Sequence, residues 1–564
     1  MSSPDNDPRD GGATLGLTDG FLPLPAQTAQ RYQSEALFDN RPLSDLVAAS
    51  ALHNPSAVAV IDSTESPETV FTYAGLMAAA DRRAAGFAAA GLRAGDRVVL
   101  QLPNSAEFAV TLLSLLRLGV APVMALPAHR IAEIAHLAAG AGAVAYISAD
   151  VSGGFDYREL AADLQRAVTS VRHVFIAGDP GPYAGLPEAS LTDTSGAFTP
   201  ATPDPDAPAL FLVSGGTTGL PKLIARSHND YAYNARVSAQ ILQLRPDDAY
   251  LVVLPAAHNF PLCCPGLLGV FATGGRVVFT DNPSPDNTFD LIERHRITVT
   301  ALVPALAQVW CAATEWEPAD ISSLRVLQVG GAKLAQPDAE ALDAALGPVV
   351  QQVFGMAEGL ICYTRLDDDR TLVTTVQGRP MSEFDEVRVV DEDGHDVPDG
   401  TEGELLVRGP YTIRGYYRAP EHNARSFTSD GFYRSGDRVT RRPDGYLAVT
   451  GRIKDTIVRA GENVAADDVE EHLLAHPAVG QVAVVGLPDD ALGERICAAI
   501  VVAPGHPRDA APDRAALRQF LTDRGLATFK MPDQVAIVGS LPVTAVGKID
   551  KRSLTTTLLA AQSS

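Results

Sequence analysis

Short apolar runs alternate with longer stretches of helical spacing through most of this chain. RVVLQLPN from Arg97 and APVMALP from Ala121 are brief and stopped by proline, as strands are, whereas TYAGLMAAADRRAAGFAAAGL from Thr72 keeps its polar positions at helix-like intervals. Alternation of this kind predicts an α/β fold. Four further runs, ALFLVS from Ala209, ITVTALVP from Ile297, LRVLQVGG from Leu324 and PVVQQVFG from Pro348, read as buried parallel strands. Each gives way at once to polar or glycine-rich residues, the place where open α/β sheets bind ligands. Beyond Gly378 the segments shorten and alternate (EVRVVDEDGHDV, GELLVRGPY, GYLAVTGR), which predicts a β-rich subdomain. Residues from Ile453 onward suffice for a small α/β domain, and residues 1 to about 30, rich in Asp, Gly, Pro and Thr, read as a mobile arm, with order expected to begin near Ala36. The expected division is an arm over 1–35, a large domain over 36–453 and a small C-terminal domain over 454–564.

Composition narrows the class. With 564 residues, 46% of them hydrophobic, the chain can bury a large core divided among roughly two to four domains. Its 45 Lys and Arg against 68 Asp and Glu, a net charge of −23, argue against a general nucleic-acid or anionic-membrane surface. Any anionic ligand must then be held by a few specific groups. No apolar run approaches the roughly 20 residues that span a bilayer, and the opening MSSPDNDPRDGGATLG has no signal-peptide character, so a soluble cytoplasmic protein is expected. Five cysteines without regular spacing form no disulfide framework; Cys311, Cys362 and Cys497 read as small buried residues. Cys263 and Cys264 stand adjacent in AHNFPLCCPGLLG and are open to several readings: redox pair, nucleophile, metal ligands or pocket wall. Adjacent cysteines make poor disulfide geometry, and no His/Cys cluster completes a zinc set.

Ser214-Gly215-Gly216-Thr217-Thr218-Gly219-Leu220-Pro221-Lys222 follows a predicted strand, and its glycines would let backbone N–H groups wrap a phosphate closely. It is not the Walker A pattern, because Leu220 and Pro221 separate the last glycine from Lys222 and no Ser or Thr follows the lysine. Taken alone, the stretch reads equally as a flexible turn.

Four more motifs follow in order: Phe354-Gly355-Met356-Ala357-Glu358, Tyr433-Arg434-Ser435-Gly436-Asp437, Gly451-Arg452-Ile453-Lys454-Asp455, and Gly547-Lys548 in PVTAVGKIDK. With the SGGTTGLPK loop they make the chain resemble the adenylate-forming superfamily of acyl-CoA synthetases, peptide-synthetase adenylation domains and luciferases, over about residues 36 to 555. AHNFPLCCPGLLGV, LQVGGAKL, QQVFGMAEGLICYTRLDD and RGPYTIRGYYRAPEHN are most similar to its stand-alone aryl-acid AMP ligases. The resemblance implies ATP and Mg2+, with Ser214, Gly215, Gly216, Thr217, Thr218, Gly219 and Lys222 around the phosphates, Gly355 in the nucleotide site, Glu358 on the metal, and Asp437 with Arg452 nearby on the ribose. The family's usual Tyr-Gly-x-Thr-Glu lacks its threonine here, so that hydroxyl contact to the α-phosphate is not expected. Lys548 matches the lysine that bridges the reacting carboxylate and phosphate. Lys454 matches the hinge about which the small domain turns, bringing the Ala460-Gly461-Glu462-Asn463 loop to face the site for a pantetheine thiol.

The same resemblance puts His258 at the gate for the incoming carboxylate and Asn259, Phe260, Cys264, Gly330, Lys333, Val353 and Ile361 around an aryl acid. Asn259 would hydrogen-bond the hydroxyl ortho to the carboxylate. Dihydroxybenzoate enzymes usually carry serine at the Cys264 position and valine at the Ile361 position; cysteine is larger and a weaker hydrogen-bond partner. Both changes are expected to narrow and dry the region beside C3 of the ring. The implied substrate is salicylate or a similar 2-hydroxyaryl acid, with 2,3-dihydroxybenzoate and 3-hydroxypicolinate as alternatives, and the implied acceptor is a phosphopantetheinylated aryl carrier protein acting in trans. The rival is an aryl-CoA ligase using free CoA. A luciferase-like oxidase and a non-catalytic binding protein have less in their favour, the second because Glu358, Asp437 and Lys548 are all present.

Overall fold

The computed structural model describes residues 16–189, 198–214, 221–459, 462–489, 492–507, 511–524, 526, 528–544 and 547–562. Three of the four buried runs lie side by side: Val299–Leu302, Val326–Gly330 and Val350–Met356 pair in parallel within a nine-stranded sheet. Ala249–Val252, Arg276–Phe279 and Val58–Asp62 extend this parallel run, and antiparallel strands close both edges, Gly359–Tyr363 and Arg379–Pro380 on one side and Thr69–Thr72 on the other. Most positions of the central strands are buried, as the unbroken apolar sequences require when both faces of a parallel sheet are covered.

The fourth run, Pro208–Val213, belongs to a seven-stranded sheet, parallel to Ala121–Met124 and antiparallel to Leu223–Ser227. TYAGLMAAADRRAAGFAAAGL forms the helix Tyr73–Ala89, its first turn capped by the Thr72 hydroxyl accepting from the Gly75 N–H. The β-rich segment is a four-stranded antiparallel sheet, Glu386–Val390, Glu402–Arg408, Tyr433–Arg441 and Leu447–Arg452. A short 3-10 turn, Ile453–Asp455, leads from it into Thr456–Arg459, the first strand of another sheet that also holds Glu462–Ala465, Val479–Asp489, Gly493–Val502 and Gln534–Ile537. This last sheet gathers its own apolar cluster, including Ile457, Val469, Leu473, Val484, Ile496 and Leu517. Among the described residues no helix is long and apolar enough to cross a membrane.

Two expectations need correction. The arm expected over 1–35 contains the helix Ala26–Ser34, because Tyr32 is buried with its ring edge-on to Phe38 and Phe384; one large aromatic anchors a segment whose composition reads as mobile. Of the cysteines expected to be small buried residues, Cys362 and Cys497 are buried but Cys311 is half-exposed on the helix Pro304–Ala313.

Candidate active site

Neighbouring parallel strands deliver their following residues to one place. Leu254, Pro255 and His258 come after Ala249–Val252, Val303 after Val299–Leu302 and Gly331 after Val326–Gly330; with Phe260 and Lys548 they line a small cavity. It adjoins a cleft of about 380 Å3 whose walls include Gly331, Val353, Phe354, Gly355, Asp437 and Arg452 on one side and Thr544, Gly547 and Lys548 on the other. Lys548 thus closes on the large sheet from the C-terminal segment.

His258 caps the short helix Asn259–Cys263, its Nδ1 accepting the Phe260 N–H at 3.3 Å. That bond leaves the ring proton on Nε2 when the imidazole is neutral. Burial, aided by the nearby Lys548 ammonium, holds the imidazole neutral by bringing its pKa down to about 3. Burial and the Arg452 guanidinium bring Lys548 down to about 8, opposed by Asp437 and Glu358. The site therefore joins one neutral donor and one titratable cation.

Asn259 and Cys264 are both buried and bonded to one another. The Tyr231 hydroxyl donates to Asn259 Oδ1 at 2.9 Å, Asn259 Nδ2 donates to Cys264 Sγ at 3.5 Å, and the thiol donates back to the Asn259 carbonyl at 3.5 Å. Burial pushes the Cys264 thiol up to about 12 and Cys263 well above its ordinary value, so both stay protonated and neither is a nucleophile near neutral pH. Cys263 lies behind, donating to the Tyr231 carbonyl. Phe260, Val353 and Ile361 are buried. Gly330 must be glycine: a Cβ there would stand 2.7 Å from the Val353 carbonyl and 3.1 Å from the Phe260 ring.

On the nucleotide side, Gly215, Gly216, Thr217, Thr218 and Gly219 lie outside the described residues. Their stem is closed by two hydrogen bonds, Ser214 N–H to the Lys222 carbonyl at 3.0 Å and Lys222 N–H to Ser214 Oγ at 2.9 Å. Asp437 and Arg452 are direct partners across Tyr433–Arg441 and Leu447–Arg452, and the guanidinium Nε meets Asp437 Oδ1 at 2.8 Å. Burial raises the Asp437 carboxyl while Arg452 draws it back. Glu358, also buried, accepts a hydrogen bond from the Tyr416 hydroxyl at 2.7 Å. A carboxyl group held by the same tyrosine that the phosphate-loop Lys222 approaches suits a hard cation shared with phosphate oxygens.

Two further assigned residues line the cleft. The Lys333 ammonium pairs with Glu471 of the helix Ala466–Leu474 at 2.9 Å, reaching across the cleft and not into the pocket wall. Lys454 sits in the 3-10 turn after Arg452, lining the cleft, while Ala460 and Gly461 lie outside the described residues.

A family model for AMP-binding enzymes matches residues 47–417, and one for the AMP-binding enzyme C-terminal domain matches residues 468–548. The chain belongs to the AMP-binding enzyme family. Within that family it is 52% identical to a salicyl-AMP ligase / salicyl-S-ArCP synthetase of Mycobacterium tuberculosis, covering 95% of this chain and 94% of the relative. It is 47% identical to a 2,3-dihydroxybenzoate-AMP ligase of Bacillus subtilis, over 95% and 97%. Among solved structures, apo MbtA of Mycobacterium smegmatis superposes with a TM-score of 0.74 at 52% identity, over 96% of this chain and 99% of that one.

Several supporting residues of this AMP-binding enzyme escape motif reading. The Tyr416 hydroxyl, itself 3.0 Å from the Tyr433 hydroxyl, holds Glu358, and the Lys222 ammonium lies 5.4 Å from the Tyr416 ring centre. Tyr231 orients Asn259. Tyr433 and Tyr416 fall inside quoted motifs, yet only the fold reveals that their hydroxyls form a chain ending on Glu358.

Proposed function

We propose that this AMP-binding enzyme joins salicylate or a similar 2-hydroxyaryl acid to AMP, releasing pyrophosphate, and then passes the aryl group to the phosphopantetheine thiol of a separate aryl carrier protein in siderophore or peptide-antibiotic biosynthesis. The observation that carries this reading is that Lys548 lines both the cleft that holds Asp437 and Arg452 and the adjoining cavity that holds His258 and Phe260. Relatives named for salicylate and 2,3-dihydroxybenzoate activation support it.

A carboxylate is a poor electrophile, and adenylation supplies its leaving group. The acid enters past His258, whose Nε2–H donates to the carboxylate without adding charge, while Asn259 takes the ortho hydroxyl. Asp437 holds the ribose of ATP, and Ser214 to Lys222 hold the phosphates. Lys548 bridges the attacking carboxylate oxygen and the α-phosphate, offsetting negative charge that grows in the transition state. Glu358 would hold Mg2+, which neutralises phosphate charge. After pyrophosphate leaves, rotation about Lys454 withdraws Lys548 and brings Gly461 toward the aryl adenylate for attack by the thiol. The working domains in this reading are 36–453 and 454–564.

Aryl-acid-dependent ATP–pyrophosphate exchange with salicylate, 2,3-dihydroxybenzoate, 3-hydroxypicolinate and benzoate tests the first step. Salicylate is expected to give the highest kcat/KM, and a clear preference for the dihydroxy acid would refute the pocket assignment. Labelled salicylate with either CoA or a phosphopantetheinylated carrier then identifies the acceptor.

A further inference from the structure

On the helix His228–Ile241, Tyr231, Asn234 and Ser238 stand three and seven residues apart and so share one face, and all three are fully buried. Tyr231 serves Asn259, as described. Ser238 Oγ accepts the Tyr363 hydroxyl at 2.8 Å and reaches Asn234 Oδ1 at 3.4 Å. Among the described residues Asn234 Nδ2 has no hydrogen-bond partner, although the fold has sealed it from water. Its neighbour is the Cys264 thiol: the Asn234 amide and the Tyr363 hydroxyl both bear on that sulfur and offset part of the upward push of burial. With Asn259 Nδ2 at 3.5 Å, two amides bear on an atom that accepts hydrogen bonds weakly, the Tyr363 proton being committed to Ser238.

We propose that Asn234 is a specificity-determining residue, the donor at the back of a recessed subsite, masked by the Cys264 sulfur, that takes a hydrogen-bond acceptor on the aryl ring beside the ortho hydroxyl. The region that the Cys264 and Ile361 side chains were expected to dry is narrowed by them but backed by donors. A buried amide left unpaired is unfavourable, and an oxygen presented there relieves it, whereas a methyl group does not. The inference rests on the assignment of Asn259 and Cys264 to the aryl pocket.

Replacing Cys264 by glycine removes the mask. Pyrophosphate exchange is measured for wild type, Cys264→Gly and Cys264→Gly/Asn234→Leu with salicylate, 2,3-dihydroxybenzoate and 3-methylsalicylate, alongside the Tm of each protein. In Cys264→Gly, kcat/KM for the dihydroxy acid relative to salicylate should rise about tenfold, the effect of one hydrogen bond. The methyl acid should gain much less, and Asn234→Leu should remove most of the dihydroxy gain. Equal gains for the hydroxyl and methyl acids, or an undiminished gain in the double variant, would show that volume alone decides and would overturn the proposal. If Cys264→Gly fails to fold, Cys264→Ala carries the same comparison. Wild type that exchanges on none of the aryl acids would refute the pocket assignment itself, and the proposal with it.

Discussion

Lys548 is a cation that the fold has made titratable. Its depressed pKa, about 8, means the ammonium form is present below that pH and is lost above it. Because the free enzyme governs kcat/KM, the exchange reaction should lose kcat/KM as pH rises through about 8, and phosphates bound beside the ammonium should shift the limb in kcat upward. Lys548→Ala should cost roughly 100-fold or more in kcat and abolish the limb; a profile unchanged in that variant would remove Lys548 from the chemistry. His258 stays neutral across this range, so no limb from it is expected between pH 5 and 7. Tyr416 offers a second residue test. Tyr416→Phe deletes the donor to Glu358, an interaction with a charged group worth about 1.5–3 kcal/mol, so the Mg2+ concentration for half-maximal exchange should rise about tenfold or more. An unchanged Mg2+ requirement, with calorimetric ATP binding also unchanged, would show that the tyrosine only packs. Lys548 and Glu358 were legible because the motifs that carry them have distinct order and spacing. Tyr416 and Asn234 were not, since a hydroxyl or amide gains its meaning from partners 58 and 30 positions away in the chain.

The hairpin of Val350–Met356 and Gly359–Tyr363 shows what an element adds to its residues. Gly355 pairs with Ile361 across it, and a Cβ at Gly355 would lie 3.0 Å from the Leu360 carbonyl and 3.1 Å from Ile361 Cγ1. Gly355→Ala should therefore displace Ile361, which the proposed reading puts against the aryl ring, at an overpacking cost of about 1–3 kcal/mol. A lower Tm is expected together with a KM for the aryl acid that rises more than the KM for ATP; equal effects on both would mean the wall of the acid pocket did not move. The strands here were readable from unbroken apolar runs because both faces of the sheet are covered. What the sequence alone did not reveal is that the last of these runs turns back on itself as an antiparallel edge, since register depends on which neighbours meet. The same limit applies to Lys333, which lines the cleft and whose pairing with Glu471 on a separate element no motif displays.

At the scale of the whole molecule, the cleft is complete only while the C-terminal segment delivers Lys548 to it. The Lys333–Glu471 bridge spans that boundary, but both side chains are substantially exposed, so it adds at most about 1 kcal/mol and Lys333→Ala should change exchange only a few-fold. The stronger control lies in the chain connection. Arg452 ends the four-stranded sheet, Thr456 begins the sheet of the small domain, and Lys454 sits between them in the 3-10 turn Ile453–Asp455. A proline ring fixes φ at the residue that carries it, so Lys454→Pro resists the dihedral change a rotation needs. If the two half-reactions share the cleft by turning about this residue, the variant should retain pyrophosphate exchange within a few-fold of wild type. Thioester formation on the carrier or on CoA should then fall at least tenfold in a single-turnover assay started from preformed aryl adenylate. Loss of both activities would point to damage at the Asp437–Arg452 pair next door, and retention of both would place the pivot elsewhere.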